Sequence, residues 1–165
     1  MGILPSAKSM GDYLAYEPMT GALTWRVANS VVVKVGSAIN YPAPGKRRYV
    51  GINKVQYLAH RLAWAIHFGE WPKGVIDHID GDASNNKIAN LRDVSVRVNT
   101  QNIRRARIDN KCGSLGVYQI KSSGKWRAQI KATSCAKHVG CFDTLEEAEL
   151  AYVEAKRKHH EGCTI

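Results

Sequence analysis

The chain is short of cysteine and of long apolar runs, and each shortage closes off a class of protein. Its four cysteines, Cys112, Cys135, Cys141 and Cys163, form no Cys-x-x-Cys pair and no secreted disulfide framework. Free thiols in a reducing cytosol are therefore expected. Cys135, His138 and Cys141 approach the spacing of a partial zinc set. An alternating strand would point those three side chains to different faces, and no fourth ligand is spaced to join them, so no structural zinc is expected. No apolar stretch reaches the roughly 18 residues of a membrane span, and no basic region leads into an apolar core at the N-terminus. The expectation is a soluble, unexported protein without a membrane partner.

Acidic residues are also scarce. Fourteen Asp and Glu stand against 24 Lys and Arg, a formal charge of +10 with a pI near 9.6. Such an excess calls for a polyanionic partner, because neutralised phosphates release counterions and supply sequence-independent affinity; nucleic acid is the leading one. The excess is uneven: residues 1–45 carry +1, residues 46–113 carry +7 and residues 114–165 carry +2. In the last segment Lys121, Lys125, Arg127, Lys131 and Lys137 all precede the first acid, Asp143, which predicts a module with one basic and one acidic side. A length of 165 residues accommodates two small cores, since domains commonly run to about 100–150 residues.

Along the chain, Leu14 and Tyr16, the turn signal Met19-Thr20-Gly21, then Leu23 and Trp25 predict a hairpin. Further strands are expected at Val31–Val35 and Tyr49–Ile52, with a loop at Tyr41–Gly45. Leu58, Leu62, Ala65 and Ile66 recur at helical spacing up to Gly69. Gly74–Ile79 reads as a strand, Ile88–Arg92 as a second, and Ser95 as the N-cap of a helix running to about Arg104. His60 and His67, near the motif, are assigned to packing, and Trp25, Trp64 and Trp71 to the core.

The run Asp77-His78-Ile79-Asp80-Gly81-Asp82 is answered by Asn90 twelve residues after the histidine and by Asn99 nine further on. An Asp beside a His on a strand, with two amides returning from the next elements, suits phosphodiester hydrolysis. It offers an oxygen ligand for a hard cation, a base for water, and a group to aim that base. The pattern Asp-His-x11-Asn-x8-Asn resembles the HNH (His-Me finger, ββα-metal) endonucleases, especially the branch found in phage and intron homing enzymes, over Arg48 to Asn102. Asp80 stands where such proteins often have Asn; with Gly81 and Asp82 it shapes the turn. The resemblance implies His78 as general base, Asn90 as a brace that orients it, Asp77 and Asn99 as ligands of one Mg²⁺ or Mn²⁺ per active site, and 5′-phosphate and 3′-hydroxyl products.

Asn102 to Gly113, with Arg104, Arg105, Arg107 and Lys111, reads as a basic linker laid on a phosphate backbone. Beyond it, Leu115–Tyr118, Lys125–Ile130, Val139–Thr144 and Glu146–Tyr152 resemble the AP2 domain over residues 114–162. That resemblance implies three antiparallel strands on one helix. Alternation agrees independently: Trp126, Ala128 and Ile130 share one face, expected to meet Ala148, Ala151 and Ala155, while Lys125, Arg127, Gln129 and Lys131 share the other. Tyr118, Lys121, Lys125, Arg127, Gln129, Lys131 and His138 are the candidate DNA contacts, through the insertion of a sheet face into the major groove.

The expected fold is therefore α+β: a β-rich accessory region (1–45), a ββα-metal nuclease module (46–105), a basic linker (106–113) and an AP2-like DNA-binding module (114–162). The expected function is that of a metal-dependent homing-type DNA endonuclease, monomeric or homodimeric, in the host cytoplasm if phage-encoded. Two rivals use the same features, a non-catalytic sequence-specific DNA-binding regulator and a nuclease selective for branched DNA. Asp77, His78, Asn90 and Asn99 occurring together weigh against the regulator.

Overall fold

The computed structural model of the chain describes residues 5–28, 33–39, 47–106, 108, 110, 112–131 and 136–165. The chain divides into two compact units, Met1–Val96 and Arg97–Ile165. One element near the start of the first unit lacks a strong sequence signal. Helix α1 (Ala7–Tyr13) is only seven residues long and is started by Ser6, whose hydroxyl accepts from the Ser9 amide. Strand β1 (Leu14–Glu17) then pairs with β2 (Ala22–Trp25) as the alternation predicts, with Leu14 opposite Trp25 and Tyr16 opposite Leu23.

Strand β3 (Tyr49–Ile52) is followed by β4 (Val55–Leu58), which the sequence reading did not separate from the helix after it. The missing cue lies in the turn. Ile52 pairs with Val55, so Asn53 and Lys54 form a two-residue loop at φ 50° and 65°. Both loop residues thus take positive φ, as in the hairpin turns in which Gly usually fills the second place; here Lys fills it. Helix α2 (Ala59–Phe68) ends at Gly69, which takes the left-handed conformation at φ 73° and donates its amide to the Ala65 carbonyl. Met10, Leu14, Leu23, Trp25, Val50, Ile52, Tyr57 and Leu62 close the main core over these elements, with Trp71 against it.

A second cluster, Ala63, Ile76 and Leu91 with Trp64, seats α2 on the ribbon of β5 (Val75–His78) and β6 (Leu91–Val94). The predicted strand at Ile88–Arg92 is corrected here: Ile88–Asn90 form a 3₁₀ turn and pairing begins at Leu91. The Asn90 side chain, turned back on the loop, accounts for the delay.

In the second unit α3 (Val96–Gln101) is shorter than predicted. Strands β7 (Val117–Gln119), β8 (Trp126–Lys131) and β9 (Ala136–Phe142) form one antiparallel sheet in that order. Helix α4 (Leu145–His159) starts with a capping box of Thr144 and Glu147. It buries Ala148 against Val117 and Ala128, with Trp126, Phe142 and Tyr152 around them. Among the described residues no helix is long and apolar enough to cross a membrane, and Cys112, Cys141 and Cys163 are free thiols. The predicted strand at residues 31–35 is not formed over its described part, 33–35; residues 31–32, the predicted loop at 41–45 and Cys135 lie outside the described residues.

Candidate active site

Asp77 and His78 are consecutive on β5 and both are buried. Alternation sends them to opposite faces of the ribbon. Asp77 stands opposite Arg92 on β6, and its Oδ2 accepts from Arg92 Nε at 2.8 Å and lies 2.7 Å from the other guanidinium nitrogen. His78 lies on the side of α2, where the His60 ring meets it edge-on with centroids 5.2 Å apart. Burial first, then the neighbouring His78, Arg47 and Arg61, lower the pKa of His60 to about 3. His60 is thus a neutral wall beside His78.

The Nε2 of His78 lies 3.0 Å from the Oδ1 of Asn86, a side chain only 1% exposed. An amide oxygen can only accept, so this contact places the ring proton on Nε2. Sequence reading missed Asn86. It sits in a polar loop where asparagine is the ordinary turn residue, and no local signal separates a buried one from its exposed neighbours.

Asn90 braces the same loop at its other end. Its Oδ1 accepts from the Asp80 amide at 3.0 Å, and its Nδ2 donates to Asp80 Oδ1 at 3.0 Å and to the Asn85 carbonyl at 2.8 Å. Burial opposes ionisation of Asp80, but bonds from the Asp82 amide, Asn85 and Asn90 outweigh it and hold the carboxyl below its usual range. Asp82 in turn accepts from Ser84. The expectation that Asp80 and Asp82 shape the turn agrees with these bonds.

Asn99 lies on α3, in the second unit. Arg104 is engaged by the carbonyl and hydroxyl oxygens of Thr164, Arg105 is exposed, and Arg107 lies outside the described residues. On the sheet, Tyr118, Arg127 and Cys141 stand side by side across the three strands, as do Gln129 and His138 on β8 and β9. Arg127 donates to the Tyr118 hydroxyl at 3.3 Å. Lys121 and Lys131 are exposed. Lys125 pairs with Asp143 at 2.9 Å, a contact so exposed that it adds little stability.

The register of β9 slips next to Ala128 and Gln129: Ala128 faces Gly140 and Gln129 faces His138, leaving Val139 as the extra residue of a bulge. His138 and Cys141 therefore share a face, with Nε2 and Sγ 3.9 Å apart. The strict alternation used to separate them does not hold across the bulge. Among the described residues no group of three or more His, Cys, Asp or Glu is placed to hold a metal ion.

Comparison with known proteins gives this geometry its setting. Residues 57–101, from β4 through α3, match the HNH endonuclease family. Protein 3.8 of Escherichia phage T7 is 30% identical over 101 residues, which span 61% of this chain and 83% of that protein. Residues 57–101 are an HNH endonuclease domain, and the chain is a relative of that phage protein. No solved structure matches it. The HNH match covers β5, the polar loop and β6, and so contains Asp77, His78, Asn86, Asn90 and Asn99.

HNH nucleases generally use a divalent metal ion, and Asp77 offers such a cation a hard carboxylate oxygen. The Arg92 guanidinium already lies 2.7 Å from Asp77 Oδ2.

Proposed function

We propose that this protein is a metal-dependent DNA endonuclease of the homing type, in which the HNH domain hydrolyses phosphodiester bonds and the sheet of the second unit addresses it to double-stranded DNA. The observation that carries the reading is the buried His78, whose Nε2 is held 3.0 Å from Asn86 within the segment that matches the nuclease family. An imidazole held through Nε2 would serve as the general base toward the attacking water. Asp77 and Asn99 are the residues that would supply oxygen ligands to one Mg²⁺ or Mn²⁺, which when bound would stabilise charge on the phosphate and the leaving oxygen. Asn90 keeps the loop closed over this arrangement.

The charge of +10 supports a nucleic-acid substrate, since phosphate neutralisation gives affinity without sequence preference. An AP2-like role for the second unit rests on its three antiparallel strands, its one packed helix, and the polar row of Tyr118, Arg127, Gln129 and His138 opposite that helix.

Supercoiled and linear DNA incubated with the protein and Mg²⁺ or Mn²⁺, followed by mapping of the ends, tests the function. His78→Ala should cut about 10²–10⁴-fold more slowly with DNA affinity retained. Asp77→Ala and Asn99→Ala should each raise the cation concentration at half-maximal cutting, and EDTA should stop the wild type. A His78→Ala protein that cuts like wild type, or cleavage undiminished in EDTA, would refute the mechanism.

A further inference from the structure

The first β-hairpin is built against the loop that holds His78. Tyr16, on β1, donates its hydroxyl to the Asn86 carbonyl at 2.7 Å, across 70 residues of sequence. Pro18, just after β1, accepts through its carbonyl from the Ile88 amide at 3.1 Å. Gly21, at φ 77°, brings its backbone so close that a Cβ there would lie 2.6 Å from the Asn86 carbonyl carbon and 2.6 Å from the Lys87 nitrogen. Three points of the hairpin thus grip the backbone on either side of one side chain, that of Asn86, whose Oδ1 meets His78.

From this we propose that the hairpin is a positioning device for catalysis: Tyr16 and Gly21 fix the Asn86 backbone, and Asn86 holds the His78 ring through Nε2 in the Nε2–H tautomer. The inference rests on His78 being the general base and assigns Tyr16, Gly21 and Asn86 as positioning residues. The physical logic is that the two neutral imidazole tautomers lie close in energy. An acceptor must therefore be held at a fixed distance from one nitrogen to populate a single form. A side chain in a polar loop has no such fixity unless its backbone is anchored. The loop's own bonds run through Asn90, Asp80 and Ser84; the hairpin adds an anchor on the Asn86 backbone itself. His60 fills the remaining side of the ring without competing for it as a charged donor.

The test uses the full chain. Long-range ¹H–¹⁵N correlation spectra of the histidines should show His78 as the Nε2–H tautomer in wild type. Asn86→Leu should yield a mixture of tautomers and a kcat lowered about 10²-fold, within the range for general-base catalysis, with KM for DNA little changed. Asn86→Asp, which keeps an acceptor in place, should retain the Nε2–H form. Tyr16→Phe keeps the ring in the core and removes only the anchoring hydroxyl; kcat should fall about 3–10-fold, since it acts at one remove from the base. Gly21→Ala should act in the same direction, with loss of the single tautomer.

A wild-type spectrum with Nδ1–H, or Tyr16→Phe and Asn86→Leu proteins that keep both the wild-type tautomer and kcat, would overturn the inference. The underlying reading fails separately, if His78→Ala cuts at the wild-type rate. Where Asn86→Leu does not fold, Tyr16→Phe and Asn86→Asp still decide the matter by tautomer and rate.

Discussion

Arg92 and Asp77 stand directly opposite each other on β6 and β5, with the guanidinium 2.7 Å from a carboxylate that is 6% exposed. The pair neutralises the carboxylate proposed to bind the cation, so Arg92 and the cation compete for Asp77. Arg92→Gln should lower the Mn²⁺ concentration needed for half-saturation, read by calorimetry or electron paramagnetic resonance. It should also cost about 2 kcal/mol of stability, less than the roughly 3–5 kcal/mol of a fully buried pair because Arg92 itself is a quarter exposed. Weaker Mn²⁺ binding in this variant would argue that Arg92 helps to hold the site and does not oppose it.

His60 predicts the acid limb of stability. Its folded pKa is lowered to about 3 by burial and by the charges near it, whereas the unfolded chain takes up the proton near 6.5. Between those values the unfolded state binds more protons, so stability is complete above about pH 6.5 and is lost as pH falls toward 3, by at most about 1.4 kcal/mol per pH unit. Urea unfolding at a series of pH values should show this slope. His60→Phe should flatten it, and an unchanged slope in that variant would assign the acid limb to other groups.

The exposed sheet should sort its contacts by type. Lys121→Ala and Lys131→Ala, as phosphate contacts, should lower affinity on all sequences and reduce the salt slope by roughly one unit each. Arg127→Ala and Gln129→Ala, as base contacts, should relax preference at one or two positions, each worth about 1–3 kcal/mol. Binding titrations across salt concentrations, with footprinting, separate the two classes. Uniformly silent variants would return this face to solvent.

The segment after α4 should prove necessary for α3. Gln101 Oε1 accepts from the Gly162 amide at 3.1 Å, Thr164 donates its hydroxyl to Asn102 Oδ1, and the buried Lys156 donates to the Ile103 carbonyl. A Cβ on Gly162 would lie 2.1 Å from the Val98 carbonyl oxygen. Gly162→Val should therefore push this segment off α3, at about 1–3 kcal/mol, with faster hydrogen exchange in α3 amides. A fragment ending at residue 113 loses the same partners along with the sheet, so its α3, which carries Asn99, should exchange fast too. Wild-type protection of α3 in that fragment would show that the helix needs none of these contacts.

Much of this protein is legible along the chain. The hairpin of β1 and β2, the strand that carries Asp77 and His78, helix α2 with its Gly69 stop, and the inward face of β8 all follow from period-2 or period-3.6 patterning, because each buries one side of a local element. The nuclease motif is also local, a matter of residue types at fixed spacing. What only the tertiary structure decided are contacts between residues far apart in sequence, about which periodicity carries no information. Asn86, and not only Asn90, reaches the His78 region; Arg92 takes Asp77; His60 faces His78; and Tyr16 and Gly21 close on a loop 65 or more residues away. Two local readings gave way for the same reason. The bulge at Val139 changed which residues share a face, and Asn90 delayed β6 by bonding to Asp80, because in each case one residue met a partner that its own strand could not specify.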